Sequence, residues 1–415
     1  MSLRKKYERN WGRLGMRYKT YTMEDALEVI IDYRGKTPKK SEKGIPTLSA
    51  KSVKNNHIDY DSCYYISSDE YKRFMVRGLP QIGDVLLTTE APLGMVAQLD
   101  RNDVGIAQRL LTLRGKQGIL DNEYLLYYLQ SPIGQALLRA RETGTTVTGI
   151  KQSEFRKIQI DIPDIENQRK IGGILRGLDD KIAVNDNINK NLLHQTRVIF
   201  KHWFTDNPNL DTMKQATLAD LCLVVTKGTT PTTLGKTFAS EGINFIKAES
   251  ILDNHAIDKE KFAFIDSETN DLLKRSIISS GDIVFTIAGT LGRFALIDDS
   301  VLPANTNQAV AIIRANQSKV TPEYLYSFFL GNWHNDYYTK RIQQAVQANL
   351  SLGTIKSLPI PILSDKAMSE YLGIIKPIIA MTKANELEIT RLRAIRDALL
   401  PQLMSGELDV SDLDI

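Results

Sequence analysis

The sequence has few of the residues on which disulfides and membrane spans depend. It contains only two cysteines, Cys63 and Cys222, among 415 residues. They lie far apart in the chain, so a structural disulfide is not expected. No run of eighteen apolar residues occurs. The chain therefore lacks an apolar segment long enough for a transmembrane helix. The basic N-terminal segment has no apolar core of the kind that secretory signals carry. These absences predict a cytoplasmic protein without a membrane partner.

Short catalytic motifs are also missing. We find no Gly-x-Gly-x-x-Gly cofactor fingerprint, His-Glu-x-x-His, Gly-x-Ser-x-Gly or Cys-x-x-Cys. A Pro-Pro-aromatic tetrapeptide, which amino-methyltransferases use to hold a flipped base, does not occur either. His194 and His202 are eight residues apart, which is the wrong spacing for one metal ion. The neighbouring Asp179 and Asp180 fit helix-surface charge better than a metal pair. We therefore expect neither catalytic residues nor metal ligands in this chain.

One string comes close to a nucleotide-binding loop. Residues 227–237 read KGTTPTTLGKT, and the last three letters match the end of Gly-x-x-x-x-Gly-Lys-Ser/Thr. The first glycine of that motif should stand where Thr230 is found, and Gly228 comes two residues too early. The spacing matters because the backbone N–H groups of such a loop must converge on phosphate oxygens. An ATP-using enzyme is therefore the less favoured alternative.

What the sequence does contain is an ordinary globular composition, with 42% hydrophobic and 25% charged residues. Its formal net charge of +4 permits a nucleic-acid partner without requiring one. The length is sufficient for two or more domains, each with its own core.

Similar segments occur in the same order in the two halves of the chain. Residues 82–100, IGDVLLTTEAPLGMVAQLD, align with residues 280–298, SGDIVFTIAGTLGRFALID. Further collinear matches join 43–59 to 241–258, 122–131 to 322–331, and 156–163 to 356–363. Residues 34–38 (RGKTP) match 227–231 (KGTTP), and the second copy then carries five extra residues around its Gly-Lys-Thr string. Such a regular series indicates an internal repeat. A loop whose length differs between copies is better suited to adapting a surface than to holding ATP.

Each copy begins with short β-type runs, such as DVLLTT and DIVFTIA, punctuated by Gly, Pro, Asn and Asp. Helical segments follow, including NEYLLYYLQS and PEYLYSFFLG. This pattern predicts an α+β, or mixed α/β, globular domain in each half.

Each copy ends in a long helical segment with apolar residues at 4-3 spacing. Heptad spacing of this kind is typical of a coiled-coil seam, and Asn185 and Asn385 occupy the same place in the two copies. Pro377 should bend or restart the second helix. The predicted seam positions are Ile171, Leu175, Leu178, Ile182, Asn185, Leu192 and Ile199, and in the second copy Ile375, Ile378, Asn385, Leu392 and Leu399.

Helices of this length do not fold into a compact domain alone. We predict that they pair antiparallel as a coiled coil, with a globular domain at each end. The predicted boundaries are 1–160 for the first domain, 161–206 for the central helix, 207–362 for the second domain, and 363–415 for the C-terminal helix and tail. Two similar domains on a rigid pair of helices would suit the reading of two DNA half-sites at a fixed gap.

These features together resemble the specificity subunits of type I restriction-modification systems. The resemblance rests on the GKTP and GTTP turns, the IPTLSAKSV and INFIKAES segments, and the two Gly-Asp strands. It also includes IPDIENQRKIGGILRGLDDKI before the central helix and RDALLPQLMSGELDV near the C-terminus. No single string is very specific, but their duplicated order is.

The resemblance implies a non-catalytic DNA-recognition subunit with two target recognition domains. It implies double-stranded DNA with a split, asymmetric site, two methyltransferase (M) subunits and restriction (R) subunits as partners. S-adenosylmethionine, ATP and Mg would then be used by the partner subunits, with no cofactor in this chain. A stand-alone DNA-binding scaffold that never partners a methyltransferase remains the alternative.

Three loops recur in both halves with side chains suited to bases or phosphates, and a fourth polar position accompanies them. Turns of this kind are also common as solvated surface. The predicted DNA-binding residues of the first half are Lys36, Thr37, Lys39, Lys51, Lys54, Thr88, Thr89 and Glu90. Those of the second half are Lys227, Thr229, Thr230, Lys236, Lys247, Thr290, Arg293, Asn307 and Gln308. Differences between the copies, such as Glu90 against Ala288 and Met95 against Arg293, would distinguish the half-sites.

Overall fold

A computed structural model of the chain describes residues 16–144, 148–342 and 349–414. The chain forms two compact units. Unit 1 contains the described residues of Met1–Val184 and Ile389–Ile415, and unit 2 contains those of Asn185–Glu388. Both units combine strands with helices, so the predicted mixed fold class is confirmed. The four predicted domain boundaries stay predictions. They treat the two long helices as separate segments, whereas each compact unit includes part of both helices.

Unit 1 is built mainly from short strands. Its strands are β1 (Tyr18–Thr22), β2 (Leu27–Asp32), β3 (Lys40–Ser41), β4 (Ile45–Leu48), β5 (Val53–Lys54), β6 (His57–Ile58), β7 (Tyr64–Ile66), β8 (Val85–Thr89), β9 (Leu93–Gln98), β10 (Gly105–Ile106), β11 (Leu110–Gly115) and β12 (Gln159–Pro163). Its helices are α1 (Met23–Ala26), α2 (Ser68–Phe74), α3 (Asn122–Gln130), α4 (Pro132–Arg139), α5 (Gln152–Arg156) and the first part of α6 (Ile165–Phe200).

Unit 2 repeats this arrangement. Its strands are β13 (Lys214–Thr217), β14 (Cys222–Lys227), β15 (Ile243–Ile246), β16 (Ala263–Ile265), β17 (Ile283–Thr286), β18 (Phe294–Leu296), β19 (Ala304–Thr306), β20 (Val310–Ala315) and β21 (Pro359–Ile362). Its helices are α7 (Ser267–Leu272), α8 (Pro322–Leu330), α9 (Trp333–Ile342), α10 (Leu352–Lys356) and the first part of α11 (Asp365–Ser405).

The two units share one sheet topology. The larger sheet has strand order β2-β11-β8-β9 in unit 1 and β14-β20-β17-β18 in unit 2, with antiparallel neighbours throughout. In the smaller sheet, β4 runs parallel to β10 and antiparallel to β7, as β15 does with β19 and β16. A third pairing joins β1 to β12 and β13 to β21. The sequence repeat is therefore also a repeat of these strand pairings, although the smaller sheet has four strands in unit 1 and three in unit 2, and the β5–β6 hairpin is matched in unit 2 by a single bridge between Ile251 and Ile257.

The duplicated Gly-Asp pair has a physical reason in this topology. Gly83 and Gly281 have φ values of 88° and 83°, a left-handed conformation that favours glycine. Asp84, which follows the first, accepts a hydrogen bond from the Gln81 backbone N–H at 2.8 Å and both Nε and Nη2 of Arg114, at 2.7 and 2.8 Å. Asp282 makes the same bonds with Ser279 and Arg314. The motif thus turns the chain and ties two neighbouring strands together.

We expect Asp84→Asn to destabilise unit 1 and Asp282→Asn to destabilise unit 2, each by about 3 kcal/mol. Asp84 and Asp282 are fully buried, so losing the carboxylate charge leaves a partly buried arginine without its partner. Urea unfolding of the purified chain measures the loss. Asp103→Asn is the control, since the Arg101–Asp103 pair is exposed and should contribute less than about 1 kcal/mol. Equal losses from the buried and exposed pairs would contradict this prediction.

Each larger sheet carries a helix-covered core. In unit 1, Leu87, Leu111 and Leu113 of the sheet pack with Tyr124 and Leu125 of α3. In unit 2 the core is more aromatic: Phe285 and Phe294 of the sheet meet Phe329 of α8 at ring-centroid distances of 5.5 Å. The aromatic side chains of α3 and α8 are therefore core residues.

The two long helices, α6 and α11, contribute to both cores and pair antiparallel within each unit. In unit 1, the Lys170 ammonium donates to the Ser411 carbonyl at 2.8 Å, and Arg396 Nη1 donates to Asp179 Oδ1 at 2.7 Å. In unit 2, the rings of Trp203 and Tyr371 lie 5.5 Å apart. As residue numbers rise along α6, those of its partners on α11 fall, as the sequence predicted.

The helix α11 is continuous through Pro377, since it runs from Asp365 to Ser405. The helix therefore does not restart at this proline, and the predicted bend stays a prediction. Proline removes one N–H donor from the helix interior, but Ile375 and Ile379 on either side are buried in the core of unit 2. This packing holds the helix together across the missing hydrogen bond.

Candidate nucleic-acid interface

One end of the larger sheet in unit 1 collects the loops that the sequence singled out. The strand β2 ends with Asp32 opposite Leu111, and Thr88, one residue before the end of β8, lies opposite Leu110. The loop after β2, the turn after β8 and the segment before β11 are therefore neighbours. Unit 2 repeats this register, with Lys227 opposite Ala311 and Thr286 opposite Val310.

The second predicted loop joins the same end through the smaller sheet. In unit 1, the Ala107 N–H donates to the Leu48 carbonyl at 2.8 Å, which places the loop after β4 beside the segment before β11. In unit 2, the Thr290 hydroxyl donates to the Ala248 carbonyl at 3.3 Å. We call these surfaces the loop ends. The loop end of unit 1 is formed by residues 33–39, 49–52, 90–92 and 107–109, and that of unit 2 by residues 228–237, 247–250, 287–293 and 307–309.

The loop end of unit 1 presents exposed cations. Lys36, Thr37, Lys39 and Lys51 are exposed, and Glu90 is half-buried. The Lys39 backbone N–H donates to the Glu70 carboxylate at 2.9 Å. The three lysine side chains have the reach and the positive charge that phosphate contacts require.

Lys54 lies outside the loop end of unit 1. It is on the strand β5, and the hairpin that β5 forms with β6 is bound to β9 by the Asn56 N–H, which donates to the Val96 carbonyl at 3.0 Å. Lys54 is exposed there. The structure thus brings seven of the eight predicted positions of this half toward one sheet end and leaves Lys54 beside the sheet.

Thr88 and Thr89 correct the sequence prediction, because both are buried, with 0% and 1% of their surface exposed. The Thr88 hydroxyl donates to the Pro92 carbonyl at 2.6 Å and accepts from the Met95 N–H at 2.9 Å. The counterpart in unit 2, Thr286, bonds to the Thr290 carbonyl and the Arg293 N–H in the same way. These threonines shape the turn after the strand and cannot contact DNA from within the core.

In unit 2, several predicted cations already have acidic partners. Arg293 pairs with Asp253 through two hydrogen bonds of 2.6 and 2.7 Å. Lys247 lies 2.9 Å from Glu249. Lys227, in contrast, is exposed at the end of β14. The positive charge of this loop end is therefore partly neutralised within the unit.

The polar residues of unit 2 form one cross-loop bond. The Thr230 N–H donates to Gln308 Oε1 at 3.2 Å, and the Thr230 hydroxyl donates to the same oxygen. Asn307 accepts from the Ala309 N–H at 3.1 Å, while Thr229 is half-buried beside it in the chain. Gly228 is required by this approach, since a side chain there would meet the Thr306 carbonyl oxygen at 1.8 Å.

The Gly-Lys-Thr string is not arranged as a phosphate loop. A short 3-10 turn, Pro231–Leu234, ends at Gly235, which adopts φ 70°. Lys236 is 2.7 Å from Glu268, and the hydrogen bond to this carboxylate raises the pKa of Lys236. The string is not followed by a helix, whereas the N-terminus of a helix completes a phosphate loop.

A segment that the sequence analysis did not select also reaches the loop end of unit 1. Gly149 bridges to Glu90, the Ile150 N–H donates to the Thr89 carbonyl at 2.9 Å, and Arg34 Nη2 donates to the Ile150 carbonyl at 2.6 Å. In unit 2, the Leu350 N–H donates to the Ile287 carbonyl in the same manner. The polar, Gly- and Thr-rich run at residues 143–149 was the available signal for this segment.

The predicted seam positions of α6 and α11 face inward. Ile171, Leu175, Ile182, Leu192 and Ile375 are buried. Also buried is Asn185, and the remaining positions are half-buried: Leu178, Ile199, Ile378, Asn385, Leu392 and Leu399.

The repeat aligns Asn185 with Asn385, but the hydrogen-bonded asparagine of α6 is Asn189. Asn385 Nδ2 donates to Asn189 Oδ1 at 2.8 Å, and Asn189 Nδ2 reaches the Thr382 carbonyl at 3.3 Å. Position 385 corresponds to Asn185 in the repeat, but in an antiparallel pair equivalent positions do not face each other. The polar contact that can fix register in unit 2 is therefore Asn189–Asn385.

Asp179 and Asp180 have different roles. Asp180 is exposed and pairs with Arg176 at 2.9 Å, as expected for helix-surface charge. Asp179 accepts from both the Tyr127 hydroxyl and Arg396 Nη1, each at 2.7 Å. Interpreting Asp179 as surface charge was therefore wrong, because this carboxylate joins α3, α6 and α11 in unit 1.

Two histidines of unit 2, His255 half-buried and His334 buried, have lowered pKa values. Burial lowers the pKa of His255 and of His334 to about 4 each, and the His255 ring stacks on Phe294 with centroids 4.0 Å apart. Burial acts oppositely on the Glu386 carboxyl and raises its pKa to about 7. Within the described residues, no group of three or more His, Cys, Asp or Glu side chains could hold a metal ion.

No helix in the described part of the chain is long and apolar enough to cross a membrane.

A family model described as the type I restriction modification DNA specificity domain matches residues 17–194 and again residues 211–391. The two matches cover one copy of the repeat each.

Similar proteins come from both archaea and bacteria. The chain is 24% identical to the MjaIX type I restriction enzyme specificity subunit of Methanocaldococcus jannaschii, over 89% of this chain and 88% of that one. It is 22% identical to the HindI specificity subunit of Haemophilus influenzae, over 79% and 86%. The fold is similar to the crystal structure of the type I restriction-modification S subunit from M. genitalium, with a TM-score of 0.58, 16% identity, and coverage of 94% and 96%.

Proposed function

This chain belongs to the type I restriction-modification DNA specificity family, and we propose that it is the DNA-recognition subunit of such a complex. It binds a bipartite, asymmetric DNA site, with one half read by each unit. The observation that carries the proposal is the pair of loop ends. The same loops stand at the same end of the same sheet in both units, with different side chains.

The side chains at matching positions support separate half-sites. Glu90 in unit 1 stands where unit 2 has Ala288, and Met95 stands where unit 2 has Arg293. A carboxylate accepts hydrogen bonds from base amino groups, whereas an alanine contacts only thymine methyl groups. The two loop ends share a backbone shape, so they would bind DNA in the same orientation. Their side chains differ, so they would prefer different bases.

Phosphate contacts supply affinity, and base contacts supply specificity. Lys36, Lys39 and Lys51 of unit 1 are proposed phosphate ligands, because they are exposed on the loops that form the loop end. In unit 2, the proposed contacts lie on the same loops. The lysines and the arginine that are paired with carboxylates there would leave those carboxylates and bind DNA phosphates instead. The proposed contacts of unit 2 are Lys227, Thr229, Thr230, Lys236, Lys247, Thr290, Arg293, Asn307 and Gln308.

The long helices are proposed to set the gap between the half-sites. The 36 residues of α6 correspond to roughly 54 Å at 1.5 Å per residue. This length spans about sixteen base pairs at 3.4 Å each. The buried seam and the Asn189–Asn385 bond are features of a register-fixed pair rather than a sliding one.

The same helices are proposed to bind the partner subunits, two M subunits and, in the nuclease form, R subunits. Apolar side chains are exposed along them although each helix already packs a buried face. These residues are 37% to 55% exposed and include Val184, Ile188, Val198, Ile374, Met381, Leu387 and Ile395. Exposed apolar residues arranged along a helix are typical of protein interfaces.

In this proposal the chain does no chemistry, and it acts in the cytoplasm beside its DNA. S-adenosylmethionine, ATP and Mg belong to the partner subunits. The stand-alone scaffold remains the second candidate, and the exposed apolar residues of the helices favour the assembled complex over it.

We expect the purified chain alone to transfer no methyl groups to DNA, and the complex with its methyltransferase subunits to methylate adenine in one bipartite sequence. The measurement is methyl transfer from labelled S-adenosylmethionine to DNA, with and without the co-expressed methyltransferase. The methyltransferase without this chain is the control and should show no sequence preference. Methylation by the chain alone would refute its non-catalytic role, and failure to copurify with the methyltransferase would favour the scaffold.

A further inference from the structure

Glu90 and Arg109 form an ion pair across the loop end of unit 1. Arg109 Nε lies 2.7 Å from Glu90 Oε1, and the two side chains remain 51% and 31% exposed. The pair joins the turn after β8 to the segment before β11. It therefore lies where two of the candidate DNA-facing loops meet.

The backbone holds both residues of the pair in place. The Thr89 N–H donates to the Arg109 carbonyl at 3.0 Å, and Glu90 bridges to Gly149 on its other side. Arg109 itself has a φ of 72°, in the left-handed region that residues other than glycine rarely adopt. Residues kept in such conformations cluster at functional sites, where the surrounding structure fixes the side chain's origin.

The pairing orients the guanidinium. The ion-pair contact is through Nε, and Nη1 and Nη2 make no hydrogen bond to any described residue, so the edge that carries them is open. A planar guanidinium presents paired donors that match the O6 and N7 acceptors of guanine. A neighbouring carboxylate limits the rotation of this fork and can accept from the amino group of cytosine.

We propose that Arg109, oriented by Glu90, reads the guanine of a G·C pair in the half-site bound by unit 1. This inference rests on the proposed function, since it requires that the loop end face the major groove. The corresponding position of unit 2 is Ala309, because the Ile287 N–H donates to the Ala309 carbonyl as the Thr89 N–H does to the Arg109 carbonyl. Unit 2 therefore has no guanidinium at this position of the shared fold.

The test uses the full chain in complex with its methyltransferase subunits and a DNA library randomised at every position of the half-sites. Methylated molecules are sequenced for the wild type, Arg109→Gln, Glu90→Gln and Arg101→Gln. Arg101 is the matched control, because it also pairs with a carboxylate, Asp103, in an exposed ion pair. It follows the C-terminal end of β9, which is the sheet end opposite to the loop end.

We expect one invariant G·C pair in one half-site of the wild type. Arg109→Gln should reduce the preference for that pair by about 5- to 150-fold and leave the other half-site unchanged. Glu90→Gln should weaken the same preference less, and Arg101→Gln should change nothing. A uniform loss of methylation at all sequences would show a phosphate contact and overturn the inference. So would unchanged preference in Arg109→Gln or a half-site without G·C. Sequence-independent methylation by the wild type would instead reject the proposed function itself.

Discussion

Replacing residues 20–150 with the corresponding segment of a related chain will change one half of the recognised sequence and leave the other half and the gap intact. This segment carries the entire described loop end of unit 1 but stops before α6. Specific protein–DNA contacts exceed nonspecific binding by about 10³- to 10⁷-fold. Methylation of the parental site should therefore fall by orders of magnitude, while a new hybrid site should be methylated efficiently.

Mapping methylated adenines in the chimera measures this outcome. The reciprocal control exchanges residues 211–356, which include the loop end of unit 2 and stop before α11, and should alter only the other half. Folding of both chimeras can be checked by their copurification with the methyltransferase. If either exchange altered both halves, the units would not read DNA separately.

Lengthening the long helices by one turn will change the gap and preserve both half-sites. Four added residues extend a helix by about 6 Å, or one to two base pairs at about 3.4 Å each. An insertion after Lys190 alone displaces the downstream seam of α6 relative to α11. A paired insertion adds four residues after Lys190 and four after Ala384. Asn189 precedes the first insertion and Asn385 follows the second, so their hydrogen bond is retained in the antiparallel pair. We expect the paired variant to methylate its longer site more efficiently than the single variant does.

Methylation mapping against a series of sites with increasing gaps gives the result. Lys190→Ala is the control, because it removes only the exposed pair with Asp186, which contributes little. Full activity on the original gap in both insertion variants would show that helix length does not determine the gap.

The repeat could be predicted in full because it is written in local patterns. Apolar strand runs and Gly-Asp turns recur at nearly constant spacing, and the sequence matches fall on corresponding strands and helices of the two units. The heptads likewise predicted which residues of α6 and α11 lie inward, because helical period alone decides which face is apolar.

The strand β8 shows why the burial of Thr88 and Thr89 could not be predicted in the same way. Period-two alternation identifies a solvent face only when one side of the sheet is open. Here both sides are covered, since Leu87 belongs to one apolar cluster and Leu86 to another. Polar residues at the end of such a strand are enclosed, and the Thr88 hydroxyl bonds within the turn.

The paired cations of unit 2 required knowledge of the fold. Asp253 precedes Arg293 by 40 positions, and Glu268 follows Lys236 by 32. Nothing local in the sequence associates these charges. The same holds for Asn189 and Asn385, whose contact follows from antiparallel register and not from their places in the repeat.

Site-specific crosslinking to DNA tests most directly whether the two loop ends face the two half-sites. A photoreactive residue is placed at Lys36 of unit 1 or Lys227 of unit 2, and controls carry it at Gln117 or Gln317. All four positions are exposed, and the controls follow β11 and β20, which end at the opposite side of each sheet. In the complex bound to its site, we predict crosslinks from 36 to one half-site and from 227 to the other, with none from 117 or 317. Crosslinks from 117 and 317 alone, or from 36 and 227 to the same half-site, would contradict the account.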